Sequence, residues 1–155
     1  MYNLFIPRNS VKGVYLLIIE IIKPLTITIR DMRYKLEPGH FIYVGSAWGS
    51  GGLTSRIARH IKKDKKIHWH IDQVTSTPLS AVKTICFLPG APSNYESKIA
   101  RILSTKLDFI PGFGSTDRRR DSSHFFICRT YIKCLEIVRF LEKTIRHPII
   151  LVTVY

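Results

Sequence analysis

Tyr43, Val44 and Gly45 run into a glycine-rich stretch, residues 46–52, and then into Leu53, Arg56, Ile57, Arg59 and His60. The pattern predicts a strand, a tight turn and a helix, and its chemistry is that of anion binding. Glycine lacks the Cβ that would keep a backbone away from a phosphate. The start of the following helix is expected to aim unpaired N–H groups at the same point. Arg56 and His60 are four residues apart, so they are neighbours on one helix face, and a guanidinium can hold a phosphate through two parallel hydrogen bonds.

The charge of the whole chain suits such a partner. Its 155 residues carry 24 Lys and Arg against 11 Asp and Glu, a formal charge of +13. Phosphates that release counterions to Lys and Arg make nucleic acid the leading partner class; a basic protein with no polyanion is the plainer alternative. A membrane is not expected as a partner, because no strongly basic amphipathic helix stands out. The longest apolar run, residues 14–22, is broken by Glu20 and too short to span a bilayer. With no secretory pattern at the start, the chain is expected to be soluble and cytoplasmic. Cys86, Cys128 and Cys134 form no CxxC pair, which argues against a zinc ribbon or a disulfide framework.

Elements must position these groups. Residues 13–20 are a continuous apolar run with β-branched members, hence a buried strand. Residues 25–30 and 33–36 read as further strands, and 40–44 return as another, so the first third is mostly hairpins. Leu53, Ile57 and Ile61 recur every four residues and predict an amphipathic helix, with Arg56 and His60 on the border of its stripe. Residues 62–66 are a charged connector containing Lys62 and Lys63. Residues 67–74 fit both the strand and the helix period; a short helix is preferred. A strand over 81–87 stops at Pro89 and Gly90. Ser93 and Glu96 then carry a capping-box spacing that opens a helix with Tyr95, Ile99, Ile102 and Leu103 inward. A loop over 109–123, a strand over 124–128, a helix from about 132 and a strand over 149–155 complete the chain.

Several side chains admit two explanations at this stage. Tyr15 and Tyr43 are ordinary strand aromatics unless something gathers them. Glu96 already has a role as a cap, although it borders the apolar face of its helix. His68, His70 and Asp72 would share one face of a strand, but on a helix the two histidines diverge and zinc is disfavoured. Trp69 is expected in the core rather than against a base. Arg118, Arg119 and Arg120 are either a solvated loop or a grip on a phosphate backbone. His124 supports another group or is merely buried.

Taken together, Gly13–Val14–Tyr15, Tyr43–Val44–Gly45, Arg56 on the next helix and Glu96 on a later one resemble the GIY-YIG nuclease superfamily. The run from Tyr43 through the Arg59–His60 pair, the segment 68–72 and the stretch 112–124 are similar to its Uri-like endonuclease branch. The resemblance covers about residues 13–126. One departure is that the stretch 117–124 here lacks the cysteines usual in that branch.

The resemblance implies an α/β (α+β) fold: a small mixed or antiparallel sheet flanked by helices, with an extra N-terminal hairpin and a C-terminal helix–strand extension. A single domain is expected over 1–155, its core about 13–128 and its extension 129–155. The implied activity is metal-dependent endonuclease cleavage of DNA, with RNA left open; a binding module without catalysis on the same scaffold is the alternative. The implied catalytic residues are Tyr15, Tyr43, Arg56, His60 and Glu96. Glu96 would hold one Mg2+ or Mn2+, and Tyr15 would act as general base or orient the water. Arg56 would clamp the phosphate and lower the Tyr15 pKa, while Tyr43 and His60 would hydrogen-bond water or phosphate. Ser46, Arg59, Lys62, Lys63, Arg118, Arg119, Arg120 and His124 are the expected nucleic-acid contacts.

Overall fold

The computed structural model describes residues 11–116 and 120–155. Strand β1 (Gly13–Ile21) is buried along almost its whole length. Its odd and even residues enter different cores. Val14, Leu16 and Ile18 join one apolar cluster, while Tyr15, Leu17, Ile19 and Ile21 join another. Burial on both faces is why its sequence is continuously apolar instead of alternating.

A hairpin of β2 (Leu25–Ile29) and β3 (Met32–Leu36) follows and forms a small sheet of its own. Strand β4 (Gly39–Ser46) then pairs antiparallel with β1, placing Tyr15 opposite Gly45 and Leu17 opposite Tyr43. The remaining strands are β5 (Ser80–Pro89), β6 (Asp108–Phe109), β7 (Phe125–Arg129) and β8 (Ile150–Thr153). Six strands make one sheet in the order β6-β7-β4-β1-β5-β8, and every recorded pairing in it is antiparallel. The expected mixed or antiparallel sheet is thus antiparallel, and the additional hairpin lies beside it.

The described helices are α1 (Gly52–Ile61), α2 (His70–Thr75), α3 (Tyr95–Ser104) and α4 (Tyr131–Ile145). Leu53 and Ile57 of α1, Ile71 and Val74 of α2 and Ile27 and Ile29 of the hairpin fill one core. Ile99 and Leu103 of α3 with Val138 and Leu141 of α4 fill the other. The sheet is therefore sandwiched. Among the described residues no helix is long and apolar enough to cross a membrane.

Three local expectations need correction. The helix expected over 67–74 starts only at His70. The Asp72 carboxylate accepts the N–H groups of His68 and Trp69, both at 2.9 Å, which ends the extended segment and fixes the helix start there. The Ser93–Glu96 capping box does not form. Asn94 caps α3 without a side-chain bond, and only backbone joins Glu96 N to Ser93 O. Within the loop expected over 109–123, Phe109 instead pairs at the sheet edge with Phe126.

Candidate active site

The relevant end of the sheet is where β1 begins and β4 and β5 finish, with Val14 opposite Ser46 and Gly13 opposite Pro89. Helix α1 leaves this end over one face and α3 enters over the other. Between them lies a cleft of about 420 Å3, lined among others by Tyr15, Tyr43, Ser46, Arg56 and Glu96. Four residues singled out far apart in the chain, Tyr15, Tyr43, Arg56 and Glu96, thus meet at one opening.

Tyr15 owes its position to Gly45. A Cβ on Gly45 would fall 2.4 Å from the Tyr15 ring, so only glycine lets the ring cross the neighbouring strand. Tyr43, two residues earlier on the same face of β4, sets its ring centroid 6.3 Å from that of Tyr15. The Tyr15 hydroxyl is 2.5 Å from His60 Nε2. Burial, reinforced by Tyr43, pushes the Tyr15 pKa well above its ordinary value of 10.0, and the opposing pull of Arg56 does not offset it. Arg56 pulls this phenol down in the expected direction but is outweighed by burial, and Tyr15 stays protonated.

His60 is 1% exposed and does not line the cleft. Burial, with the positive charge of Lys65 next, lowers its pKa to about 3, so the imidazole is neutral. Its Nδ1 has no hydrogen-bond partner among the described residues. His60 stands behind Tyr15 and fixes the hydroxyl; it does not reach water or phosphate in the cleft as expected.

The turn before α1 differs from expectation in one respect. Gly51 and Gly52 have φ of 84° and 61°, which explains the paired glycines. Yet the N–H groups of Gly52, Leu53 and Ser55 go to the carbonyls of Gly49, Val11 and Gly51. The chain closes its own cradle, and the cation offered to an anion is the Arg56 guanidinium. That group lies 4.3 Å from the centre of the Trp69 ring, and Arg59 lies 4.7 Å from the same ring. Trp69 is half-buried against these guanidinium groups.

Glu96 is buried in the first turn of α3, with its carboxylate at the cleft. His124 Nδ1 stands 3.1 Å from Glu96 Oε1, a charge contact, and Nε2 bonds Asp121 Oδ2 at 2.9 Å. Burial works against a charged His124, but the two carboxylates outweigh it and raise its pKa. Asp121 is itself held by Ser97 Oγ at 2.7 Å and by Arg101. Burial opposes its charge as well, but these bonds keep its pKa below the usual value.

The expected nucleic-acid contacts divide. Ser46 lines the cleft and Lys62 is exposed. Arg59 bonds the fully buried Asp72 at 2.7 Å and the Lys66 carbonyl, so it serves the fold. Lys63 donates to the carbonyls of Thr77 and Ser80. His124 is 1% exposed and acts on Glu96 rather than on a ligand. Arg120 is exposed, whereas Arg118 and Arg119 lie outside the described residues. Of the segment 68–72, His70 Nδ1 accepts from Gly114 N at 2.8 Å, and Asp72 is turned to Arg59.

Asp121 and Trp48 line or support the site without having been singled out. The spacing of Asp121 and His124 was a usable signal, since both fall in one loop. An aromatic in a glycine-rich turn, where no core residue is needed, was the signal for Trp48.

Glu96 is the sole acidic residue among those lining the cleft, and among the described residues no three His, Cys, Asp or Glu group as ligands. One carboxylate, completed by water and substrate phosphate oxygens, is a donor set that suits Mg2+ or Mn2+ better than an all-protein cage would. The donor chemistry fits the ion the resemblance implies.

No curated protein and no solved structure matches the chain. A protein-family profile, described as Domain of unknown function DUF123, matches residues 14–146 and so covers most of both cores and every cleft residue named above. The chain belongs to the DUF123 family.

Proposed function

We propose that the chain is a metal-dependent DNA endonuclease. The observation that carries this reading is the meeting of Tyr15, Tyr43, Arg56 and Glu96, from β1, β4, α1 and α3, around one cleft. Phosphodiester hydrolysis needs a positioned water, cations on the phosphoryl oxygens and help for the leaving oxygen. Arg56 supplies a fixed cation for the phosphate, held in place by stacking on Trp69. Glu96 would hold Mg2+ or Mn2+, which supplies Lewis-acid neutralisation of the phosphoryl charge. Tyr15, kept neutral by burial, acts through its hydroxyl as the group that orients the attacking water. The water oxygen forms the new bond to phosphorus and gives its proton to solvent, while the bond to the leaving oxygen breaks and that oxygen takes a proton from solvent. His60 holds the Tyr15 hydroxyl in one direction throughout.

The test is cleavage of labelled DNA, single-stranded, duplex and branched, with and without Mg2+ or Mn2+. Metal-dependent nicking that is lost in Glu96→Gln, with unchanged melting, supports the proposal. Salt-sensitive binding with no cleavage by the wild-type chain would assign the cleft to recognition alone.

A further inference from the structure

Trp48 is 45% exposed and lines the cleft together with Arg56 and Glu96. Its position is fixed at one edge, where the indole Nε1 donates to the Ala91 carbonyl at 2.9 Å. The turn around it is tied down as well, because Lys12 Nζ donates to the Gly49 carbonyl. Among the described residues no second ring and no cation is recorded on its indole face. The contrast with Trp69 is informative. That ring already has Arg56 and Arg59 packed against it, so Trp48 is the large aromatic surface left open to a ligand in this cleft.

An aromatic plane beside a phosphate-directed arginine is how proteins hold an unpaired nucleotide: the base stacks while the cation takes the backbone. In a duplex both faces of a base are covered by its neighbours. Only a single strand, a flap or a flipped base presents a free face. The cleft, about 420 Å3, has room for one nucleotide between Trp48 and Arg56. We infer that Trp48 stacks on an unpaired nucleobase next to the phosphate held at Arg56, so that the substrate is DNA unpaired at that step. The inference rests on the proposed nuclease function for its choice of DNA, but it concerns binding and can be tested without turnover.

The experiment measures affinity of the full chain for a short single-stranded DNA, for the same DNA as a duplex, and for the single strand carrying one abasic position. It is done without divalent metal and at low salt, with wild type, Trp48→Ala and Trp48→Phe. Wild type is expected to bind the single strand about tenfold tighter than the abasic strand or the duplex, a loss of the size seen when one stacked base is removed. Trp48→Ala should bind all three alike, and Trp48→Phe, which keeps a ring, should recover most of the preference. The wild-type indole fluorescence should be quenched by the single strand and much less by the abasic one. Equal affinity of wild type for all three DNAs, or a preference unchanged in Trp48→Ala, would overturn the stacking role. The nuclease proposal fails separately, through metal-independent or Glu96-independent behaviour in the cleavage assay. A wild-type chain that binds no DNA at all would overturn both.

Discussion

His124 Nδ1 stands 3.1 Å from Glu96 Oε1 while the opposite nitrogen of the same ring is bonded to Asp121. The imidazole therefore backs the carboxylate as a charge partner, at a position solvent does not reach. Such supporting groups typically matter by one to two orders of magnitude in metal affinity. His124→Ala is expected to raise the Mn2+ concentration needed for half-maximal cleavage about 10–100-fold. Asp121→Asn should give a smaller shift in the same direction, because Ser97 and Arg101 still surround the site. The measurement is a Mn2+ titration of the cleavage rate. An unaltered midpoint in His124→Ala, with the fold intact, would remove His124 from the support of Glu96.

Gly45→Ala tests the placement of Tyr15. The added methyl must displace a ring only 2.4 Å away, in a fully buried layer. Overpacking of this kind costs about 1–3 kcal/mol. Both a lower melting temperature and a loss of cleavage are expected. Combining Gly45→Ala with Tyr15→Leu should restore much of the stability and none of the activity.

Arg56 and Arg59 both pack against the Trp69 ring but have different partners. Arg59→Ala leaves the Asp72 carboxylate buried with one partner fewer, a loss of about 1–3 kcal/mol in stability. Arg56→Ala should leave melting nearly unchanged and lower cleavage about 100-fold or more, as removal of one charge-stabilising donor does. Equal effects of the two substitutions on activity would contradict this division of roles.

His60 gives the protein an acid sensitivity of known sign. Its pKa falls from 6.5 in the unfolded chain to about 3 in the fold. Between those values the unfolded state binds the extra proton, so stability is full above pH 6.5 and declines as the pH falls toward 3. His60→Gln, which cannot take up a proton, should flatten this part of the melting profile. The groups facing His60 (Tyr15, Tyr43, Lys65, Arg56, Arg59 and Asp72) are left in place by that substitution. A profile equally steep in the variant would mean that other groups govern the decline.

Much of the framework was legible because it depends on local periodicity. β1 declares itself by an unbroken apolar run, and α1 by Leu53, Ile57 and Ile61. What escaped was decided by partners distant in the chain. Glu96 has the spacing of a cap, but a histidine 28 positions later claims its carboxylate. The N–H groups at the start of α1 look available until Val11 supplies a carbonyl to Leu53. Arg59 reads as a nucleic-acid contact until Asp72, also the anchor of α2, is found beneath it. In each case a polar group with two possible partners took the one that tertiary structure brought close, and no window of sequence contains that choice.

The two tyrosines belong to adjacent central strands of one sheet, whereas Arg56 and Glu96 ride on helices packed against opposite sides of it. The aromatic half of the cleft is therefore set by strand pairing, while its charged half is set by two helices that pack in separate cores. Variation in α1 or α3 can retune grip without disturbing the tyrosine pair, and that is where relatives with altered preferences should differ.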